Sequence, residues 1–372
     1  MKNKARIFVD MHLFDGPMQG SRTYLGGLYN AMIRNNSSAD YYFGASDIKN
    51  LIKVFSIHPN VRFIKYFTRN KFIRLAFNIP YIILKYKIDI AHFQYILPVF
   101  KFSKEVITIH DVLFLDFPEL FSPGYRLKNN FLFRRSAHRA DFILTVSEYA
   151  RNGISQHFNI AKELIHVVPN GVSNDYFDYS DGNGLPDIKG KYNLDKYILY
   201  VSRIEPRKNH IGLVKAFMDL RLWEEDYSLV FIGNLSIKTP DLTNYINDLP
   251  QDLRKYIVHI KSSHGSELMS FYRNCRLFVY PSLAEGFGIP PLEAAALEVP
   301  VLCSNATALG EFTFFRERLF NPSSHEEFKA KIHFALTRND PDLPLIRDFV
   351  RVNYGWNKPA EILTEIIFGN AE

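Results

Sequence analysis

Short apolar runs recur along the chain of 372 residues, and stretches of mixed polarity separate them. Apolar runs of about four to eight residues, bounded by glycine, proline or polar residues, are typical of buried strands. We therefore predict strands at 5–11, 41–47, 61–67, 88–93, 106–110, 197–201, 229–233, 258–260, 277–280 and 299–303. We also predict a strand that runs into a helix at 141–148 and a strand followed by a turn at 165–171. Strands that alternate with helical stretches favour an α/β fold built from doubly wound parallel sheets.

A polar, glycine-rich stretch from Asp178 to Gly190 interrupts this alternation once. Such a composition is typical of a linker between domains. The alternation resumes after it, and an apolar-periodic segment containing Trp356 comes last. We predict a first domain at 1–180, a linker at 181–192, a second domain at 193–350 and a C-terminal helix at 351–372.

The stretch from Tyr280 to Pro300 combines a strand, a glycine turn and an Ala-rich helix. A helix that begins directly after such a turn aims backbone amides and the positive end of its dipole at an anion. Glu285 lies in the turn and Glu293 in the first helical turn. A phosphate would repel either carboxylate, so both are better placed to accept hydrogen bonds from hydroxyls. An ordinary corner with two solvated glutamates is the alternative interpretation.

The motif P-S-x-x-E-G-F-G-x-P-x-L-E-A, with its E-x7-E spacing, resembles the retaining glycosyltransferases of family 4, also called group 1. The resemblance implies the GT-B architecture, in which two Rossmann-like domains face a cleft. It also implies transfer of a sugar from a nucleotide-diphosphate sugar, UDP- or GDP-linked, to a hydroxyl of a glycan or lipid-linked acceptor. The first domain would be on the acceptor side, and the C-terminal helix would cross back to it. Bacterial surface polysaccharide synthesis, such as that of lipopolysaccharide, is the expected setting.

The same resemblance assigns roles in the second domain. Arg203 and Lys208 follow the predicted strand at 197–201 and would hold the diphosphate. An Arg fork and a Lys point charge can stabilise charge on such a leaving group without a metal. Glu285 would bind the donor sugar and Glu293 the ribose, and the backbone of the turn between them would contact the donor at Gly286, Phe287, Gly288 and Ile289. A charged surface loop is the alternative for residues 202–209.

Two positions in the first half resemble the family less closely. Gly20 lies in a loop before a predicted helix, where doubly wound folds bind phosphates, but Gln19 and Arg22 occupy positions that are small in the family. His110, in the segment T-I-H-D, resembles a histidine that the family places near the donor sugar. A plain turn and a structural histidine are the respective alternatives.

The positive charge is concentrated in the first half of the chain. Residues 1–186 contain 23 Lys and Arg against 15 Asp and Glu, whereas residues 187–372 contain 22 against 24. The segment Arg62–Lys87 contains seven basic residues, no acidic residue and several aromatic residues. A basic, aromatic surface suits an anionic membrane. The alternative is that the aromatic side chains are core and the charges form a solvated rim.

Composition excludes several classes of protein. Only Cys275 and Cys303 are present, so a disulfide framework is not expected. The N-terminus is interrupted by Asp10 and predicts a strand, not a signal peptide, and no apolar window of about 18 residues predicts a membrane span. We expect a cytoplasmic protein, with the inner face of the membrane as a further candidate location. No metal-ligand cluster or D-x-D pattern is found in the motif segments, so we expect no metal and no cofactor.

Two rival functions remain open. The first is a sugar-nucleotide epimerase or a phosphorylase of the same architecture. The second, of another class, is a nucleic-acid-binding protein, suggested by a pI of about 9.0. No nucleic-acid-binding motif is found, and the excess charge lies away from the best-matched segments, so we expect no nucleic-acid partner.

Overall fold

The computed structural model describes residues 4–16, 19–35, 39–179 and 184–369. The chain forms two compact units, one of Met1–Gly171 with Trp356–Glu372 and the other of Val172–Gly355. Each unit is built around one parallel sheet, and helices connect most of the successive strands. The expectation of two doubly wound α/β domains is therefore confirmed.

The described residues of the first unit contain seven strands, seven helices that lie before residue 171 and an eighth helix near the C-terminus. The strands are β1 (Ala5–Asp10), β2 (Ala39–Ala45), β3 (Val61–Lys65), β4 (Ile90–Gln94), β5 (Lys104–Thr108), β6 (Phe142–Thr145) and β7 (Ile165–Val167). The helices that connect them are α1 (Gly20–Asn35), α2 (Ile48–Phe55), α3 (Lys71–Ile73), α4 (Ile79–Tyr86), α5 (Leu113–Asp116), α6 (Pro123–Arg139) and α7 (Glu148–Phe158). The sheet order is β3-β2-β1-β4-β5-β6-β7, so the strand order reverses between β1 and β4.

The second unit contains a six-stranded sheet. Its strands are β8 (Lys196–Val201), β9 (Tyr227–Ile232), β10 (Ile257–Ile260), β11 (Leu277–Tyr280), β12 (Val301–Ser304) and β13 (Leu319–Phe320). Its helices are α8 (Asn174–Phe177), α9 (Ile188–Tyr192), α10 (His210–Asp219), α11 (Pro240–Asp248), α12 (Gln251–Arg254), α13 (Gly265–Asn274), α14 (Ile289–Ala296), α15 (His325–Thr337) and α16 (Leu343–Tyr354). The order β10-β9-β8-β11-β12-β13 reverses between β8 and β11. Such a reversal is where doubly wound sheets form their ligand sites.

The central strands are buried on both faces, which explains why they are continuously apolar instead of alternating. In β8, Tyr197, Ile198, Leu199 and Tyr200 have no exposed surface, and Leu277, Phe278 and Val279 of β11 are equally buried. The core of each unit therefore lies between its sheet and the helices that cover the two faces.

The division between the units falls earlier than the predicted boundary at 180. Helix α8 belongs to the second unit because Phe177 is buried there and its carbonyl accepts a hydrogen bond from Arg347 Nη2 at 2.5 Å. Val172 N donates to Tyr354 O at 2.7 Å, which places the end of α16 in the second unit as well. The predicted linker contains α9, and its residues 181–183 lie outside the described part of the chain.

The last helix, α17 (Asn357–Phe368), belongs to the first unit and packs on α1. Trp356 precedes α17, and its indole ring fits against two glycines. A Cβ atom on Gly27 would lie 1.9 Å from Trp356 Cε2, and one on Gly171 would lie 2.7 Å from Trp356 Cδ2. The absence of side chains at these two positions is thus what allows the end of the chain to dock.

We predict that Gly27→Ala lowers the free energy of unfolding by about 1–3 kcal/mol, because the added methyl overlaps the Trp356 ring. Alanine is otherwise the better helix former by up to about 1 kcal/mol, so a loss can come only from the clash. Urea denaturation of both proteins measures the difference.

The matched control is Gly124→Ala, at a position in α6 where an added Cβ meets no atom within 4 Å. This variant should be at least as stable as the parent, because alanine favours the helix and meets no clash there. Equal stability of the Gly27→Ala variant and the parent would show that Trp356 does not pack as described.

Candidate functional site

Two loops meet at the carboxyl edge of the second sheet, one on each side of the strand-order reversal. The first follows β8 and contains the 3₁₀ turn Pro206–Lys208, and the second connects β11 to α14. The strands β8 and β11 are paired neighbours, with Ile198 opposite Leu277. Their carboxyl ends therefore lie side by side, and the loops join through a hydrogen bond from Leu283 N to Arg207 O at 2.8 Å.

Lys208 and Glu285 form a buried ion pair across these two loops. The Lys208 ammonium donates to Glu285 Oε1, and both side chains are 8 % exposed. Tyr280, the last residue of β11, bridges them: its hydroxyl donates to Glu285 Oε1 at 2.9 Å and accepts from Lys208 Nζ at 3.2 Å. The three groups thus form a closed ring of hydrogen bonds.

Arg207 contacts the same carboxylate from the other side. Its Nη1 donates to Glu285 Oε2 at 2.9 Å and to Ala284 O at 2.7 Å. Its Nη2 lies 2.6 Å from Glu205 Oε1. The guanidinium therefore connects both loops and contacts two carboxylates.

The charges determine the protonation states of the pair. Burial alone would raise the pKa of Glu285, but the charges of Lys208 and Arg207 lower it to about 2. Burial lowers the pKa of Lys208 to about 8, against the opposing effect of Glu285. Glu285 is consequently an anion at neutral pH, and Lys208 is a cation that loses its proton more easily than an exposed lysine does.

Glu293 and Arg203 have different surroundings. Glu293, in α14, accepts a hydrogen bond from the Tyr272 hydroxyl at 2.8 Å, and burial raises its pKa. The Arg203 side chain is exposed, and it has no hydrogen bond or ion pair within the described part of the chain. The structure therefore brings Lys208 and Glu285 into contact, whereas the contacts of Glu293 are with tyrosine.

The turn that leads into α14 is rigid and buried. Gly288 has φ +115°, and a Cβ there would lie 2.4 Å from Leu309 Cδ2, so glycine is required. The Phe287 ring packs on Phe312, with centroids 5.5 Å apart. Gly286 is buried, and Ile289, which is partly exposed, begins the helix. The backbone of this turn can contact a ligand, whereas the Phe287 side chain serves packing.

In the first unit, His110 lies just after β5 and is buried. Its Nε2 lies 2.7 Å from Gln94 Oε1, and Gln94 Nε2 lies 3.4 Å from His92 Nε2. Burial lowers the pKa of His110 to about 3, so the ring is neutral at pH 7. Gly20 is exposed at the start of α1, next to residues 17–18, which lie outside the described part of the chain. The roles of His110 and Gly20 stay predictions.

Sequence reasoning missed Arg207 and Tyr280. The adjacent pair Arg207-Lys208 was visible, but only the lysine matched the family pattern. The sequence indicates only that Tyr280 ends a strand, since nothing local shows that its hydroxyl faces a lysine 72 residues away.

The hydrogen-bond donors in the two loops are suited to binding a diphosphate. In the described ranges, no group of three or more His, Cys, Asp and Glu side chains could hold a metal ion. Lys208 and Arg203 instead lie in the loop after β8, and α14 begins at the end of the loop after β11. Cations and a helix N-terminus are groups that bind phosphate oxygens directly.

Two models of known protein families match the chain. The sequence model of the family Glycosyl transferases group 1 matches residues 185–347, and the sequence model of Glycosyltransferase Family 4 matches residues 20–176. The O-antigen chain mannosyltransferase B of Escherichia coli is 31% identical over 242 residues, 62% of this chain and 61% of that protein. The serotype-specific mannosyltransferase WbdA of the same organism is 30% identical over 245 residues, 63% of this chain but only 29% of its own length.

Solved structures extend the likeness to nearly the whole chain. A glycosyltransferase from Rickettsia africae superposes with a TM-score of 0.73 at 21% identity, covering 98% of both chains. Anabaena HepE in complex with UDP-glucose gives 0.71 at 16% identity, covering 97% of this chain and 99% of that one. These likenesses identify the fold as GT-B. Since one family model covers each half and the mannosyltransferase relatives match as well, the chain belongs to the group 1, or family 4, glycosyltransferases.

Proposed function

We propose that this protein transfers a hexose from a nucleotide-diphosphate sugar to a hydroxyl of a glycan or lipid-linked acceptor in surface polysaccharide synthesis. The observation that carries the proposal is the buried Lys208 ammonium, held by Glu285 and Tyr280 at the strand-order reversal of the second sheet. Relatives that are O-antigen and serotype-specific mannosyltransferases support a hexose and a polysaccharide product. The UDP-glucose complex of HepE supports a nucleotide-linked donor.

Departure of a nucleoside diphosphate leaves negative charge on the phosphate oxygens, and a preorganised cation stabilises it. Lys208 has three N–H donors, and two of them are directed at Glu285 and Tyr280. The third is available to a phosphate oxygen. Arg203, which is exposed in the same loop, would also bind the diphosphate.

The two carboxylates would bind the sugars. Glu293 would accept from ribose hydroxyls, sharing its oxygens with Tyr272. Glu285 would accept from a hydroxyl of the donor sugar, alongside Lys208 and Arg207. A carboxylate held by two cations is a weak nucleophile, so this arrangement supports attack by the acceptor on the same face as the departing diphosphate. The anomeric configuration would then be retained, and the leaving phosphate would take the acceptor proton.

We predict that Lys208→Met lowers turnover by about 100-fold, because the preorganised cation is lost while the side-chain volume is kept. The donor is identified first by thermal shift with UDP-, GDP-, ADP- and dTDP-linked hexoses, since a ligand of the folded state raises the melting temperature. Release of nucleoside diphosphate with and without acceptor then measures turnover.

Lys215→Met is the matched control, because Lys215 is exposed on α10 and its ammonium lies near the Tyr245 ring. This variant should keep the parent rate. Near-normal turnover by folded Lys208→Met would show that Lys208 does not act in the reaction. Release of nucleoside diphosphate at the same rate with and without acceptor would favour the epimerase or phosphorylase class.

The pKa of Lys208 predicts the pH dependence. Its pKa is lowered to about 8 by burial, so the ammonium is present at neutral pH and is lost as the pH rises through about 8. We expect kcat/KM for the donor to fall on this alkaline side, which a pH–rate profile measures. A profile that stays flat up to about pH 10 would mean that no group with such a pKa is needed.

We also propose that the first unit binds anionic membranes at its periphery through the segment Arg62–Lys87. Phe67, Phe72, Phe77 and Tyr81 are exposed, so the interpretation that the aromatic side chains are core is wrong for these four. Phe63 of β3 is partly buried and packs on Phe43, with ring centroids 6.4 Å apart. Six of the seven basic residues are exposed as well; Arg74 is buried, with Nη2 3.4 Å from Asp10 Oδ2. No helix in the described residues is long and apolar enough to cross a bilayer.

This aromatic-basic surface extends to two further elements. Val99 N donates to Leu75 O at 3.3 Å, and Arg135 Nη2 of α6 donates to Val99 O at 3.5 Å. Phe100 beside Val99 and Phe131 on α6 are both exposed. We propose that the exposed rings and cations of these three adjacent elements contact an anionic membrane at the same time.

We predict that Arg69→Glu with Lys71→Glu reduces flotation with phosphatidylserine-containing liposomes by roughly tenfold or more, since each cation near such a surface contributes about 1 kcal/mol. The control makes the same charge change at Lys238 and Lys255, which are exposed in the second unit. Equal recovery of the two variants would argue against this surface.

A further inference from the structure

We propose that Tyr280 is a positioning residue: its hydroxyl holds Lys208 and Glu285 in place and favours the protonated form of Lys208. The inference rests on the proposed function, in which Lys208 meets the donor diphosphate. Nothing in the family motif identifies this tyrosine, which directly precedes the P-S with which the motif begins. The role follows from contacts in the folded chain alone.

The Tyr280 hydroxyl uses its acceptor and its donor function at the Lys208–Glu285 pair. The residue is 2 % exposed, and its oxygen accepts from Lys208 Nζ while its proton goes to Glu285 Oε1. Lys208 Nζ also lies 5.5 Å from the centroid of the Tyr280 ring. A phenol supplies an acceptor, a donor and an aromatic ring in one uncharged side chain.

The neighbouring rings fix the direction of the phenol. Tyr280 packs on Tyr200 with ring centroids 5.4 Å apart and on Phe278 at 6.1 Å. The Tyr200 hydroxyl in turn donates to the Lys208 carbonyl at 2.7 Å. Both ends of Lys208, backbone and ammonium, are therefore tied to tyrosines of adjacent strands, so its position is set before any ligand arrives.

The phenol remains a neutral donor throughout. Burial and the nearby Glu285 charge raise the pKa of Tyr280 well above its ordinary value. A neutral hydroxyl that accepts from an ammonium stabilises the charged form of the lysine. Removing the hydroxyl should consequently make Lys208 lose its proton at lower pH.

The test is Tyr280→Phe, which keeps the ring and deletes only the hydroxyl. The direct readout is an NMR titration of [13Cε]lysine-labelled protein, in which the Lys208 signal is the one missing from Lys208→Met. We expect the midpoint for Lys208 to fall by about one pH unit, the equivalent of one hydrogen bond to a charged group. In the enzyme assay, kcat should fall about tenfold with little change in KM, and the alkaline limb should move by the same pH interval.

The matched control is Tyr197→Phe, because Tyr197 is a buried tyrosine of β8 whose hydroxyl donates to Phe271 O at 2.7 Å. This variant should lose some stability but leave the Lys208 midpoint where it is. An unchanged midpoint in Tyr280→Phe overturns the proposal, whatever the activity. A shifted midpoint in a protein that shows no transfer with any donor leaves Tyr280 in its role and instead contradicts the proposed function.

Discussion

The ion pair between Lys208 and Glu285 is the interaction on which the site of the second unit depends. Removing two charges from water is expensive, and their attraction offsets that cost only when further hydrogen bonds satisfy both groups. Here Tyr280 and Arg207 supply those bonds. Because well-packed apolar side chains would often be at least as stable, a buried pair of this kind is better explained by chemistry than by stability.

The sheet order is what makes the pair possible. Lys208 and Glu285 are 77 residues apart in the chain, yet β8 and β11 are hydrogen-bonded neighbours. Parallel strands end at the same edge, so the loops that follow them must meet there. Gly288 then allows the second loop to pass close to Leu309 before α14 begins. The pairing of β8 with β11, the paths of the two loops and Gly288 together bring Lys208 to Glu285.

The sequence predicted the strands well because both faces of each sheet are covered, which leaves continuous apolar runs such as Tyr197–Tyr200. It also predicted Lys208 and Glu285, since the motif fixes their positions after two strands. It could not predict Arg207 or Tyr280, because their partners depend on which strands are neighbours and which way each side chain turns. The domain boundary was misplaced for a similar reason: Phe177 joins the second unit through Arg347, a contact between distant segments.

The two glutamates of the E-x7-E spacing show why a motif does not by itself assign chemistry. Glu285 faces two cations, so its pKa is lowered to about 2 and its charge is already balanced. Glu293 accepts a hydrogen bond from the Tyr272 hydroxyl, and within the described part of the chain no cation is hydrogen-bonded to it. Burial therefore raises its pKa. Environments that push two carboxyl pKa values apart separate their roles. Glu285 therefore lies at the charged end of the site, whereas Glu293 pairs with an uncharged hydroxyl, as the proposed contact with a ribose requires.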